Sequence, residues 1–213
     1  MKPLRFCSSA LLLMLLLPLV ARAERSALDV YAAAEAGGCP EIYSYHRPVR
    51  AAAPRPAVRK RTPAYELGPL RALAYSKALK YNIPPKLFES IIWHESGFKV
   101  ACLGAAGEFS LGQILPSTWA QMRIAGSPWV PENNLEGAAR YIRDSYASLT
   151  QKDMNYAARM GYQREHLILS LYNGGRGTLN RYVNASKPLP PKLISYVKSV
   201  VKIHNSLGKG KRK

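Results

Sequence analysis

Ile91-Ile92-Trp93-His94-Glu95-Ser96-Gly97-Phe98 places one carboxylate at the end of an apolar helix face. Phe88, Ile91, Ile92 and Glu95 stand at i, i+3, i+4 and i+7, one stripe of an amphipathic helix. The first three are apolar and face a core, which turns Glu95 toward the same interior. Gly97 follows, in the place where a left-handed glycine commonly ends a helix. An anion is costly to bury there, so the site favours the neutral acid and raises its pKa. A carboxyl held protonated near neutral pH is what a general acid requires. On the helix pattern alone the commoner outcome is blander: a glutamate at a frayed helix end, bonded to backbone or turned to solvent.

Outward from this stretch the periodicity stays near 3.6 residues and strand signals are few. Leu70, Leu73, Ala74, Ala78 and Tyr81 form one stripe, stopped at Asn82-Ile83-Pro84. Pro85 suits the first turn of the helix that carries Glu95. A long loop, Phe98 to Ser110, follows; loops of that length in compact domains are often functional. The spacing predicts helices over Pro116–Ile124, ended near Gly126, and from an Asn134 N-cap with Leu135, Ala138, Ala139 and Ile142 buried. Two more are expected over Arg164–Leu171 and Lys192–Asn205. In the last, Leu193, Val197, Val200, Val201 and His204 share a face, His204 at the core edge. The fold class is therefore mainly α, with residues 64–207 as one domain. No internal repeat is present.

The ends read differently. Lys2 and Arg5 precede the apolar run Ala10–Val20, and Ala21-Arg22-Ala23 follows. This is the pattern of a cleavable signal peptide, residues 1–23. The run is short for a bilayer span and Pro18 interrupts it, so no transmembrane span is expected after cleavage. Cys7 precedes the apolar run, unlike a lipoprotein cysteine. The expected location is the periplasm. Residues 24–63 form a low-order segment and a basic linker rich in proline, alanine and arginine from His46 to Arg61, too poor in apolar surface to offset its ordering entropy. Residues 208–213 are a basic tail. The formal charge is +18; residues 1–23 hold Lys2, Arg5, Arg22 and no acid, so about +15 remains after cleavage. That charge implies an anionic partner: wall carboxylates, lipid head groups or nucleic acid. No nucleic-acid motif accompanies it. Cys39 and Cys102 remain after cleavage, and in an oxidising compartment two cysteines suggest one disulfide. Closing such a loop stabilises by roughly 4 kcal/mol in the chain-entropy model. Two unpaired thiols, or a bridge to another chain, are the alternatives.

Four blocks stand in order along the chain: Glu95-Ser96-Gly97-Phe98, Gly107-Glu108-Phe109-Ser110-Leu111-Gly112-Gln113, Asn134-Leu135-Glu136-Gly137-Ala138-Ala139-Arg140-Tyr141-Ile142, and Leu171-Tyr172-Asn173-Gly174-Gly175. Together they resemble the soluble lytic transglycosylase family of lysozyme-like, peptidoglycan-cleaving enzymes, over about Tyr65 to Tyr182. The resemblance implies a lysozyme-like fold and a single acidic catalyst, Glu95. Such enzymes protonate the glycosidic oxygen between N-acetylmuramic acid and N-acetylglucosamine, and the substrate's own C6 hydroxyl then attacks C1. A 1,6-anhydromuramoyl end results. The substrate-binding positions carried over are Ser96, Gln113, Tyr172 and Asn173. The hydroxyl of Tyr172 is expected to bond and orient Glu95, and Asn173 to hold local backbone. Ser96 is equally readable as a helix-end serine bonding local backbone. The sequence departs from the family pattern in three places. Ser110 stands where glycine is usual, Gly112 where methionine is usual, and Leu171 where alanine is usual.

No metal site is expected: His94-Glu95 starts like a zinc-protease motif, but Phe98 occupies the second histidine position. No cofactor is expected either. Usual glycoside hydrolysis needs two carboxylates, and Glu108 is the nearest second candidate. Two alternatives therefore stand beside the lytic transglycosylase: a lysozyme-type hydrolase, and a non-catalytic envelope component that binds the wall through its basic segments. The expected partners are peptidoglycan and, from the small size, subunits of a secretion or conjugation apparatus.

Overall fold

The computed structural model describes residues 66–207. The signal peptide, the linker with Cys39 and the basic tail lie outside these residues. Seven helices follow one another within them: α1 (Leu67–Lys80), α2 (Pro85–Ser96), α3 (Pro116–Met122), α4 (Pro131–Ser148), α5 (Gln151–Met160), α6 (Arg164–Ala185) and α7 (Pro191–Ser206). No helix among the described residues is long and apolar enough to cross a membrane.

Helix α2 lies at the centre, packed on α1 and on α7. Phe88, Ile91 and Ile92 are wholly buried, each worth about 2 to 3 kcal/mol of transfer from water. Pro85 opens the helix, and Gly97 closes it at φ 60°, ψ 31°, with its N–H on Trp93 O. The α1 stripe packs from the other side, with Leu70, Ala74 and Ala78 buried. Lys77 and Lys80 then reach from α1 to Glu136 on α4, and Tyr81 donates to the same carboxylate. Burial pulls the Glu136 pKa up, but these three donors outweigh it and hold the group down at about 2. A second cluster, including Tyr156, Leu167, Leu171, Leu179 and Leu193, is contributed by α5, α6 and the start of α7.

Several boundaries differ from the sequence expectations. Helix α3 ends at Met122 rather than Ile124, because Arg123 itself turns left-handed at φ 49°. Helix α4 starts at Pro131, with Val130 as its N-cap. Asn134 is therefore inside the first turns and is not a cap. Helix α5 was not expected. It starts from a capping box in which Thr150 and Asp153 bond each other's backbone N–H. Helix α6 continues past Leu171 through a break at Gly175, where φ 72° and ψ 168° are open chiefly to glycine. A further helical stretch follows this break. Val201 is 37% exposed, so it leaves the buried face of α7.

Candidate active site

Glu95 is 8% exposed at the end of the α2 stripe. Its Oε1 accepts a 2.6 Å hydrogen bond from the Tyr196 hydroxyl on α7. Burial raises the carboxyl pKa; the Tyr196 bond lowers it and the charge of Glu108 raises it, with a result of about 8. Glu95 is thus a neutral acid at pH 7. His94 packs edge-on against the Tyr196 ring, centroids 4.7 Å apart. Burial lowers the imidazole to about 4, so it adds no charge beside the acid.

The loop between α2 and α3 covers this end of α2. Phe109 pairs with both Leu103 and Ile114 in short antiparallel bridges. Asn134 holds the loop from α4: its Oδ1 accepts from Gly112 N at 2.7 Å, and its Nδ2 donates to Phe109 O at 3.2 Å and Pro128 O at 3.0 Å. Gly112 is where the loop passes closest. A Cβ there would stand 2.8 Å from Ala138 Cβ and 3.0 Å from the Tyr172 hydroxyl. A methionine, usual in the resembled family, does not fit this backbone. Glycine is what lets the loop settle on α4 and α6.

The residues expected to bind substrate are gathered around this loop, but most of their polar atoms hold the loop itself. Ser96 is fully buried, with its hydroxyl 2.8 Å from Leu111 O and 3.3 Å from Ile92 O. The longer contact is the local one of the helix-end reading; the shorter one crosses from α2 to the loop. The Gln113 amide donates to Cys102 O and Ser110 O, at 3.1 and 2.8 Å. Tyr172 donates at 2.6 Å to Gly112 O, not to Glu95. Tyr172 was expected to orient the acid; here its hydroxyl anchors the loop, and it is Tyr196 that bonds Glu95. Burial and the Glu95 charge hold both phenols well above the usual tyrosine range, so both stay neutral donors. Asn173 is half-buried. Cys102 is disulfide-bonded, and its expected partner Cys39 lies outside the described residues. Glu108 is buried in the loop, with Oε2 accepting from Ala106 N at 2.9 Å. No group of three or more metal-ligating side chains occurs among the described residues.

A family model described as Transglycosylase SLT domain matches residues 72–194 of the 213. The chain belongs to the SLT transglycosylase family. The matched segment holds Glu95, the loop and Tyr172, and the mainly α, lysozyme-like architecture is that of the SLT domain. The family makes this an enzyme of the peptidoglycan lytic transglycosylase type. Tyr196 lies two residues beyond the match. Sequence reasoning passed over it, although Leu193, Tyr196, Val197 and Val200 form one stripe. A tyrosine inside an apolar stripe needs a partner for its hydroxyl, and a buried glutamate needs a donor; those two demands are the signal that joins them.

Tyr196→Phe is expected to act through Glu95. The lost hydrogen bond had favoured the carboxylate, so the acid's pKa rises further, by about one unit. The alkaline limb of kcat/KM on soluble glycan strands moves up accordingly. The rate at neutral pH falls about tenfold as the carboxyl loses its fixed orientation. Were Tyr196 only packing, the limb would stay in place.

Ser110 explains the family's usual glycine. It sits at φ 62° and its buried hydroxyl has no partner among the described residues. A left-handed residue with a side chain is strained, and an unpaired buried hydroxyl adds to the cost. Ser110→Gly is expected to stabilise the domain by about 1 kcal/mol after glycine's entropy loss, a few degrees in Tm by thermal denaturation.

Proposed function

We propose that Glu95 is the acid and then the base of a lytic transglycosylase that cuts between N-acetylmuramic acid and N-acetylglucosamine. The observation that carries this is one carboxyl buried at the end of the α2 stripe and hydrogen-bonded by a buried phenol. Glu95 gives its proton to the glycosidic oxygen as the C1–O bond breaks and the N-acetylglucosamine end leaves. The resulting carboxylate accepts the proton of the C6 hydroxyl as that oxygen bonds C1. The enzyme returns to its starting protonation, and a 1,6-anhydromuramoyl end is formed without water. A group with a pKa of about 8 is matched to both steps near neutral pH.

A second reading is favoured by Glu108. It is buried and its charge is felt at Glu95. A second carboxylate could direct water onto C1, as in a lysozyme-type hydrolase. The test is incubation of the chain from Glu24 onward with purified peptidoglycan, followed by mass spectrometry of the soluble muropeptides. Anhydromuramoyl ends are expected. Reducing muramoyl ends would replace the proposal by the hydrolase. No release from folded protein would favour a non-catalytic envelope component, binding the wall through its basic segments.

The cellular setting belongs to the same proposal. The signal-peptide pattern of residues 1–23 points to the periplasm, where Cys102 would pair with Cys39. A small catalytic domain behind a basic linker fits local opening of the wall for a secretion or conjugation apparatus, by family analogy.

A further inference from the structure

The positive charge is not spread over the fold. Residues 66–165 carry 11 Lys/Arg against 9 Asp/Glu, nearly neutral. Residues 166–213 carry 10 Lys/Arg and no acid at all. Arg176 is used internally, on buried Asp153. Arg181, Lys187, Lys198 and Lys202 are exposed and form no salt bridge with any described residue.

Helix α7 sorts these groups by face. Leu193, Tyr196, Val197 and Val200 are buried toward α2 and α6. Lys198, Val201, Lys202 and Asn205 look outward. With His166 and Val197 they line an open groove of about 510 Å³. Val201 is an exposed aliphatic side chain beside two unpaired lysines one helical turn apart. The sequence then continues through Lys209, Lys211, Arg212 and Lys213.

We propose that this outer face of α7 docks on an anionic phospholipid surface. Lysines at one turn's spacing reach head-group phosphates together, and each adds to the attraction. The aliphatic ridge of Val201 enters the boundary between head groups and acyl chains. A wall polymer or a nucleic acid would use the charge and leave that ridge unused. The side of α7 that presents Tyr196 to Glu95 is turned away from the lipid, by about one helix diameter of roughly 10 Å. Docking therefore leaves the candidate active site uncovered. The inference stands apart from the reaction assigned to Glu95.

The test is sedimentation of the chain from Glu24 onward with phosphatidylcholine vesicles, with and without phosphatidylglycerol, beside isolated sacculi. Between the two vesicle types, binding is expected only to those with phosphatidylglycerol and should fall steeply with salt. Lys198→Gln with Lys202→Gln, the tail intact, is expected to weaken that binding about 30-fold. Peptidoglycan release in solution should be unchanged, which also reports that the variant is folded. Undiminished vesicle binding by the double variant overturns the proposal, since the linker or tail would then suffice. Equal binding to both vesicle types overturns it too. So does a loss confined to sacculi, which would make the occupant an anionic wall polymer.

Discussion

Glu95→Gln is expected to lose wall-cleaving activity by a factor of about 10² to 10⁴ and yet to be the more stable protein above pH 5. The first effect follows from removing the transferable proton while keeping shape and the Tyr196 contact. The second follows from linkage. In the unfolded chain Glu95 titrates near its ordinary value of 4.5, and in the fold at about 8. Below about pH 4.5 both states hold the proton and the carboxyl costs the fold nothing. From there to pH 8 the unfolded state releases a proton that the folded state keeps, so stability falls as pH rises. The loss reaches about 3 kcal/mol at pH 7 and levels off above pH 8. Glutamine has no such slope. Denaturant unfolding at several pH values should therefore show curves that coincide near pH 4 and separate upward. Parallel curves would mean that Glu95 is ionised in the fold, and the general-acid assignment would fall with them.

That cost locates where sequence reading works and where it stops. Glu95 was legible because one helix carries the whole argument: an apolar stripe, an acid on it, a glycine after it. The α1 stripe and the Pro85 start were legible for the same local reason. Helix α5 was not read, since its capping box uses Asp153 where glutamate or glutamine is the usual signal. The hydrogen-bond partners of polar residues were the least legible. Tyr172 and Tyr196 both lie within reach of Glu95's field, and only the packing of α7 on α2 decides which hydroxyl bonds it. Ser96 and Gln113 look like sugar ligands in a list of residues. In three dimensions their hydrogen bonds go to loop carbonyls that local sequence does not reveal.

Asn134 is the sharpest case, because its two readings give opposite results for one substitution. As an N-cap, asparagine and aspartate are nearly equivalent, and loss of the cap costs about 1 kcal/mol. In the structure Asn134 is fully buried and uses both ends of its amide. Oδ1 takes the Gly112 N–H, and Nδ2 faces the carbonyls of Phe109 and Pro128. Aspartate would keep the first contact and set an oxygen against two carbonyl oxygens. Asn134→Asp is therefore expected to destabilise at least as much as Asn134→Ala, and both by about 3 kcal/mol or more. The loss with aspartate should shrink as pH falls toward about 4, where the acid is protonated in both states and can donate to one carbonyl. Activity should fall with both, because Gly112 O is the acceptor of Tyr172 and Leu111 O lies within hydrogen-bond distance of the Ser96 hydroxyl beside Glu95. Near-wild-type stability of Asn134→Asp in urea would restore the cap and remove the bracket that holds the loop over the candidate acid.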